Sequence, residues 1–438
     1  MSAALTLRNS DLADCVREAR ERYQLSRPKS AALHADMRQV MPGGNTRSVL
    51  SYGPFPTAME RGADCRLWDI DGHEYLDLCG EYTAGLFGHS DPRILGALKA
   101  ALARGLNLAA VGHGEAHLAH LLVDRFPSLD MVRFTNSGTE ANLMALTAAR
   151  AFTKRSKIMV FRGGYHGGVL TFPIGAASAA TVPFPTVMSD YNDTERSVAL
   201  IKEHAADLAA VIVEPMLGSG GCIVGHPAFL TALREATQAS ETLLIFDEVM
   251  TSRMSGGGMQ ERLGIVPDIT ALGKYMAGGM SFGAFGGRAD IMAQFASALP
   301  HAGTFNNNVL SMAGGAVALG EIFTPACAEA LFQRGETLRH TLNEVCRAAD
   351  VPMHFSGIGS MLTAQFRPGP IHRPAPASPA EEGLRELFFF DMLEAGIYLA
   401  RRGMVALSLP VGEAELDRYC QAVTEFVRSR APLLREAA

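Results

Sequence analysis

Short apolar runs of strand length alternate with helix-like runs from about residue 91, and this alternation constrains the fold more than any other feature. The apolar runs are rich in β-forming residues, and amphipathic stretches such as EANLMALTAARAF separate them; they are MVRFT (131–135), KIMVF (157–161), AAVIVEP (209–215) and LLIFDEV (243–249). Strands that are apolar on both faces and separated by helices are typical of a parallel sheet buried between helical layers. The sequence therefore predicts an α/β fold with a mostly parallel sheet.

The two ends of the chain show different patterns. Residues 8–25 are spaced like an amphipathic helix, and alternation around DIDG (69–72) predicts a β-hairpin that turns at Asp71-Gly72. Beyond about residue 326, long helical stretches, a proline-rich loop (367–380) and short strands near GIYLA and VALSL predict a smaller α+β domain. A chain of 438 residues exceeds one simple core. We expect an N-terminal segment (1–75) packed with the small domain, a large domain (76–325) and a C-terminal small domain (326–438).

Composition excludes several classes of function. The net charge of −6 argues against a nucleic-acid-binding protein, and no apolar run approaches the twenty residues of a membrane span. The N-terminus is charged and lacks the apolar core of a signal peptide. Seven cysteines are scattered singly without a CxxC pair, which is typical of reduced thiols. These features predict a cytoplasmic protein with no membrane or nucleic-acid partner.

Lys274 stands alone among glycines and apolar residues in the stretch TALGKYMAGGMSFGAFGG, and the chain has only six lysines. An ammonium group in apolar surroundings has a lowered pKa, so the neutral amine can act as a nucleophile and form a Schiff base. The alternative is a lysine at a strand end whose amine reaches solvent. The neighbouring glycines favour the functional interpretation, because glycine lets the backbone approach a ligand closely.

Two other motifs follow predicted strands. In FTNSGTEAN, Ser137, Gly138 and Thr139 lead into a helix, and free N–H groups at a helix start can bind phosphate, although a simple helix cap is the better explanation of this motif taken alone. In LLIFDEVMTS, Asp247 ends an apolar strand at the sheet edge where open α/β sheets bind ligands. Its neighbour Glu248 also needs partners, because two adjacent acids after a buried strand are costly.

Two histidine-containing motifs are less specific. Tyr165 lies in the glycine-rich loop GGYHGG, where its ring could stack on a planar ligand or belong to an ordinary turn. In HGEAH and the following residues, His113, His117 and His120 share a helix face, which would suit zinc. Glu115 does not fit the HExxH pattern and no ligand group beyond these histidines is evident, so we expect no metal site.

Taken together, these motifs resemble those of the class III aminotransferases, which are pyridoxal 5'-phosphate (PLP) enzymes of fold type I. The resemblance is carried by NSGTEA, GGYHGG, VEP, IFDEVMTS, LGKYMAGGMSFGAFGGR and GTFNNN, and it extends from MPGGN to the C-terminus. PGGNTRSVLSYGPFP, EYTAGLFGHS and HAGTFNNNVLSMAGG are most similar to aminotransferases of aromatic β-amino acids such as β-phenylalanine. Glutamate-1-semialdehyde aminomutase is similar in most cofactor motifs. The resemblance implies a large domain with a seven-stranded, mostly parallel sheet flanked by helices.

The resemblance also implies a role for each matching residue. Lys274 would hold PLP as an aldimine and move the proton, and Asp247 would keep the pyridine nitrogen protonated. Tyr165 would stack on the ring, and Glu214 of VEP would lie near the cofactor. The phosphate would be bound by Ser137, Gly138, Thr139 and, from the partner subunit of a homodimer, Thr304.

Substrate carboxylates would be bound by arginines, whose planar forks suit them. Arg47 in GNTRS and Arg402 in LARRGM match the family's carboxylate-binding arginines, although the adjacent Arg401 leaves the second assignment open by one position. Tyr82 and Met250 would help line the pocket. The implied reaction transfers an amino group from a β-amino acid to a keto acid such as 2-oxoglutarate or pyruvate. An aminomutase-type isomerase and a non-catalytic phosphate-binding protein are the alternatives.

Overall fold

The computed structural model describes residues 11–436. The first residues of the predicted N-terminal helix, 8–10, lie outside this range, as do both chain ends of the expected domains. The α-helices are α1 (Leu12–Ser26), α2 (Pro28–Val40), α3 (Pro92–Ala103), α4 (His113–Arg125), α5 (Gly138–Thr153), α6 (Thr194–Glu203), α7 (Pro227–Ala239), α8 (Gly258–Leu263), α9 (Ala289–Met292), α10 (Val309–Val317), α11 (Pro325–Ala348), α12 (Pro379–Glu394) and α13 (Glu413–Glu436).

The strands form one large sheet and several small ones. In chain order they are β1 (Met59–Ala63), β2 (Arg66–Asp69), β3 (Glu74–Asp77), β4 (Met131–Thr135), β5 (Lys157–Phe161), β6 (Gly164–Tyr165), β7 (Thr171–Phe172), β8 (Thr186–Ser189), β9 (Leu208–Val213), β10 (Met216–Leu217), β11 (Ile223–Val224), β12 (Leu243–Asp247), β13 (Ile269–Gly273), β14 (Gly283–Gly287), β15 (His354–Ile358), β16 (Met361–Gln365), β17 (Ile397–Tyr398) and β18 (Met404–Ala406).

The central sheet has seven strands in the order β4-β14-β13-β12-β9-β5-β8. All neighbouring pairs are parallel except those made by β14, which runs antiparallel to both β13 and β4. Successive residues of one strand face opposite sides. In β9, Ile212 packs in the core under α5, whereas Val211 and Val213 pack in the core under α6 and α7. The predicted α/β fold with a seven-stranded, mostly parallel sheet is confirmed.

Strand β14 differs from what the sequence led us to expect. We attributed the glycines of AGGMSFGAFGG to close approach of a ligand, but Gly283 and Gly287 lie within a buried strand. A Cβ atom on Gly283 would collide with the carbonyl of Ser137, and one on Gly287 would collide with the carbonyl of Asp268. These two glycines therefore allow β14 to fit between neighbouring backbones, and the ligand-approach interpretation is wrong for them.

The regions outside the central sheet pack together. The antiparallel strands β15, β16 and β18 form a small sheet beside α11, and the hairpin β2–β3 turns at residues 70–73 as predicted. Strand β17 comes from the C-terminal region but pairs in parallel with β3 of the N-terminal hairpin. Helix α1 packs on α12.

In the part of the chain that is described, no single helix is both long and apolar enough to cross a membrane. The bent pair Val309–Ile322 and Pro325–Ala348, broken by 79°, satisfies the length and composition criteria together.

Candidate active site

Five of the predicted site residues lie at or after the carboxyl ends of strands in the central sheet that run in the same direction. Ser137 follows β4, Tyr165 follows β5, Glu214 follows β9, Asp247 ends β12 and Lys274 follows β13. Parallel strands present these ends along one edge, which is where open α/β sheets bind ligands. The sheet order therefore brings together side chains that are up to 137 positions apart (274 − 137).

Asp247 is buried at this edge of the sheet, and its carboxylate accepts three hydrogen bonds. Its Oδ2 accepts from Nδ2 of Asn142 at 2.8 Å and from Nδ1 of His166 at 2.8 Å, and its Oδ1 accepts from the amide of Val249 at 3.0 Å. An ionised carboxylate offers about four acceptor positions, so about one remains for a further donor. A protonated ring nitrogen is a donor of the required kind.

Lys274 is partly buried and has a left-handed backbone, with φ of 60°. Burial lowers the pKa of its ammonium group from 10.5 to about 8, and the positive charges of Arg402 and Arg47 act in the same direction. Glu81 and Asp247 oppose the shift. The amine is thus neutral over a range of pH in which an exposed lysine is charged.

Helix α5 begins at the same edge. Ser137 is its N-cap, and its Oγ accepts from the amide of Glu140 at 3.2 Å. Thr139 Oγ1 accepts from the amide of Gly168, in the loop after β5, at 3.1 Å. The first amides of a helix have no partner within it and carry a partial positive charge, so they suit an anion such as phosphate.

Glu214 is buried and braces the loop that carries Tyr165. Its Oε1 accepts from the amide of Tyr165 at 2.9 Å, and its Oε2 accepts from the amide of Gly218 at 3.0 Å. Burial raises the pKa of the Glu214 carboxyl to about 7, Asp247 adds to this rise, and His166 opposes it. The ring of Tyr165 is exposed (44%).

The other end of the site is rich in charge. The guanidinium of Arg47 lies 5.6 Å from the ring centre of Tyr82, and that of Arg402 lies 5.4 Å from the same ring. Arg402 Nη2 is also 3.0 Å from Met404 Sδ. Met250 is partly buried against the apolar cluster that Tyr82 also contacts.

The neighbouring arginine is engaged elsewhere. Nη2 of Arg401 forms an ion pair with Glu386 of α12 at 2.9 Å. Of the two adjacent arginines, only Arg402 contacts Tyr82 and lowers the pKa of Lys274. This geometry favours Arg402 as the substrate ligand.

Thr304 is separate from the other predicted residues. It lies on an exposed loop, and within residues 11–436 it makes no hydrogen bond to them. The same loop is tied to the start of α5, because Asn136 Nδ2 donates to Asn306 Oδ1 at 3.0 Å.

The sequence analysis missed three neighbours of the predicted residues. His166 and Asn142 lie inside quoted motifs, and the need of a buried acid for donors was the signal that could have identified them. Glu81, next to Tyr82, forms an ion pair with Arg47 at 2.7 Å, and no sequence pattern indicates this contact.

Glu248 and the possible metal ligands are the remaining groups that the sequence analysis considered. The partners that Glu248 needs are the amides of Met259 at 2.6 Å and Gln260 at 2.9 Å. Within the described residues, no group of three or more His, Cys, Asp or Glu side chains could hold a metal ion.

The fold and this edge of the sheet define a class of enzyme. The sequence profile of the family Aminotransferase class-III matches residues 49–426, and the chain belongs to that family. It is therefore an aminotransferase of a PLP-dependent family.

The chain is also similar to individual members of this family. The chain is 49% identical over 424 residues to the β-phenylalanine transaminase of Variovorax paradoxus, covering 96% of this chain and 97% of that protein. The crystal structure of a β-phenylalanine aminotransferase from V. paradoxus superposes with a TM-score of 0.95 at 48% identity, over 96% of this chain and 98% of the other. The chain is also 37% identical over 421 residues to the glutamate-1-semialdehyde 2,1-aminomutase of Desulforudis audaxviator (strain MP104C), covering 91% of this chain and 98% of that protein.

Proposed function

We propose that this enzyme transfers an amino group from a β-amino acid, with an aromatic one such as β-phenylalanine preferred, to a keto acid such as 2-oxoglutarate or pyruvate. The observation that supports this most directly is the placement of Lys274. Its amine has a pKa lowered to about 8, and the charges of Arg47, Arg402 and Asp247 all act on it. One site thus combines a neutral amine with groups that bind carboxylates.

The residues present fit PLP. In this proposal Lys274 Nζ would hold the cofactor, and the remaining acceptor position of Asp247 would hold the pyridine N–H. The phosphate binds at the start of α5, at Ser137, Gly138 and Thr139, where helix amides have no internal partner. Tyr165 stacks on the ring, and Glu214 fixes the loop that carries Tyr165. When bound, the cofactor withdraws electrons from the substrate carbon that bears the amine.

The chain's own side chains provide the remaining steps. The amine of Lys274 would take the proton from the amine-bearing carbon of the donor and would later give a proton to the carbon of the acceptor that receives the amine. A partly buried amine with a pKa near the working pH is suited to both directions of transfer. Asp247 would keep the ring nitrogen protonated, and Asn142 and His166 hold the side chain of Asp247 in place by hydrogen bonds.

Substrate carboxylates bind at the end that contains the two arginines. Both substrates carry a carboxylate, and Arg47 can accept the one they share by a bidentate contact. The second carboxylate of 2-oxoglutarate and the phenyl group of the donor must use one region, where Arg402 lies against Tyr82 and Met404. We propose that Arg402 moves toward the acid and away from the ring, with Tyr82 and Met250 lining the space.

The proposal extends to assembly and location. Because Thr304 is exposed and makes no hydrogen bond to the other proposed ligands within residues 11–436, we propose that it completes the phosphate site of a second subunit in a homodimer. We also propose that residues 76–325 form the cofactor-binding domain, flanked by the segment 1–75 and the small domain 326–438. The seven free cysteines are consistent with a cytoplasmic enzyme.

The test of the substrate proposal is a panel of amino donors with 2-oxoglutarate and pyruvate, followed by chiral chromatography. We expect glutamate to form from 2-oxoglutarate when β-phenylalanine is the donor. Arg402→Ala should weaken the use of 2-oxoglutarate at least tenfold more than that of the aromatic donor, because about 2 kcal/mol is typical for a charge-assisted hydrogen bond. Equal losses for the two substrates would contradict the proposed movement of Arg402.

A second candidate function is the isomerisation carried out by glutamate-1-semialdehyde 2,1-aminomutases, to one of which the chain is 37% identical. The same panel separates the two functions. An aminomutase would rearrange glutamate-1-semialdehyde without an external acceptor, and would release no glutamate from β-phenylalanine and 2-oxoglutarate.

A further inference from the structure

Glu81 lies at the end of the site where substrate carboxylates are proposed to bind. Its Oε1 is 2.7 Å from Nη2 of Arg47. A carboxylate of the chain itself therefore contacts the guanidinium group that is proposed to bind the carboxylate of the substrate. In the described residues, Arg47 makes no other side-chain hydrogen bond, so most of its five N–H donors remain available.

The backbone that presents Glu81 is unusual. Glu81, Tyr82 and Thr83 have φ values of 46°, 54° and 83°, and the preceding Gly80 has φ of 52°. A left-handed conformation is unfavourable for residues that carry a Cβ, and three in succession require support from the surroundings. Such strained segments occur mainly at functional sites.

Contacts from neighbouring elements provide this support. Oδ1 of the buried Asp77 accepts from the amides of Cys79 at 2.9 Å and Gly80 at 3.0 Å. The amide of Gly85 donates to the carbonyl of Gly80 at 2.9 Å. The fold thus holds the turn in one conformation, and that conformation carries the Glu81 side chain to Arg47.

The ion pair between Glu81 and Arg47 can be displaced. Their side chains are 57% and 43% exposed, and exposed ion pairs contribute little to stability. Both groups also act on the pKa of Lys274, in opposite directions. A substrate carboxylate that makes a bidentate contact has more to gain at Arg47 than Glu81 has through a single hydrogen bond.

We propose that Glu81 is a specificity-determining residue that competes with the substrate carboxylate for Arg47. It occupies the guanidinium of the free enzyme and is displaced when substrate binds. This inference rests on the proposed role of Arg47 in the aminotransferase reaction. Since Glu81 stays nearby after displacement, its charge opposes further negative charge, so a dicarboxylate is penalised more than a monocarboxylate.

The test measures binding of 3-phenylpropanoate, which has the carboxylate and ring of β-phenylalanine but no amine, to the holoenzyme by isothermal titration calorimetry. Glu81→Gln should bind it roughly two- to fivefold more tightly than wild type, the range expected for loss of one exposed ion pair. The gain should shrink at high salt, because exposed charges are screened. Arg47→Ala should bind it more weakly than wild type.

Two variants serve as controls. Glu344→Gln removes a glutamate that is similarly exposed (48%) and paired with Arg347 on α11, and it should match wild type. Glu81→Asn also removes the charge and tolerates a left-handed backbone, so it reproduces the result if Glu81→Gln folds poorly. Binding to folded Glu81 variants that is no tighter than wild type would overturn the proposal, as would unchanged binding to Arg47→Ala.

Kinetics provide a second readout. In Glu81→Gln the KM for 2-oxoglutarate should fall by a larger factor than the KM for pyruvate, whereas the KM for 1-phenylethylamine, an aromatic donor without a carboxylate, should not change. Equal KM changes for all three would overturn the proposal. A wild-type enzyme that uses no β-amino acid would refute the proposed substrate but would leave the calorimetric comparison of Glu81 intact.

Discussion

The contact between His166 and Asp247 gives the most direct test of how the site is built. Nδ1 of His166 is 2.8 Å from Oδ2 of Asp247, and the two side chains are 2% and 5% exposed. An ionised carboxylate can only accept hydrogen bonds, so the imidazole donates. His166→Ala removes one of the three donors to a buried carboxylate and leaves Asn142 Nδ2 and the amide of Val249.

The size of the effect follows from this geometry. A hydrogen bond to a charged group contributes about 1.5–3 kcal/mol, and leaving a buried group without its partner costs about 1–3 kcal/mol, or more when that group is charged. Because two donors remain, we expect His166→Ala to lower the free energy of unfolding by about 2–4 kcal/mol. Affinity for PLP should fall as well, since Asp247 would no longer be held in place for the ring nitrogen.

The assay is urea unfolding of the cofactor-free protein, combined with titration by PLP followed by absorbance. His166→Asn keeps an N–H donor close to the position of Nδ1 and should recover part of both losses. His340→Ala is the control, because His340 is 76% exposed and its contact with Glu344 is long, at 3.6 Å. The change in its free energy of unfolding should stay within about 0.5 kcal/mol. A His166→Ala protein as stable as this control, with normal PLP affinity, would refute the reasoning.

Three further predictions concern protonation and covalent chemistry. Burial lowers the pKa of Lys274 to about 8, so the rate of PLP capture by the cofactor-free protein, followed by stopped-flow absorbance, should rise with pH up to about that value. Arg402→Ala removes a repelling positive charge and should move the midpoint of this pH profile upward. An unmoved midpoint would exclude an effect of Arg402 on the pKa of Lys274. Borohydride reduction followed by mass spectrometry should place the pyridoxyl tag on Lys274, and a tag elsewhere would remove the basis of the proposed function. Burial raises the pKa of Glu214 from 4.5 to about 7; the folded state therefore holds this proton more tightly, and the stability that it provides is lost as pH rises from about 4.5 through 7. Glu214→Gln has no such proton, so its stability relative to wild type in urea titrations should be greater at pH 8 than at pH 5, and a constant difference would contradict the assignment.

The sequence by itself determined the class of fold and the order of the chemical groups along it. Runs such as KIMVF and LLIFDEV encode buried strands through their local composition, and the periodicity between them encodes helices. Strand ends could be located from these runs, so Asp247 could be placed at the sheet edge where ligands bind, and the structure shows that Lys274 follows β13. The isolation of Lys274 among apolar residues also predicted a lowered pKa, in agreement with the value of about 8.

The tertiary structure alone decided which groups meet. His166 and Asn142 donate hydrogen bonds to Asp247 from 81 and 105 positions away, and β17 pairs with β3 of the N-terminal hairpin. These contacts depend on the lateral order of strands, which local sequence patterns do not encode. The glycines of β14 were misinterpreted because glycine permits close approach equally to a ligand and to a neighbouring strand. The left-handed turn at Glu81 has no sequence signal, since residues with a Cβ adopt that conformation only when surrounding contacts impose it.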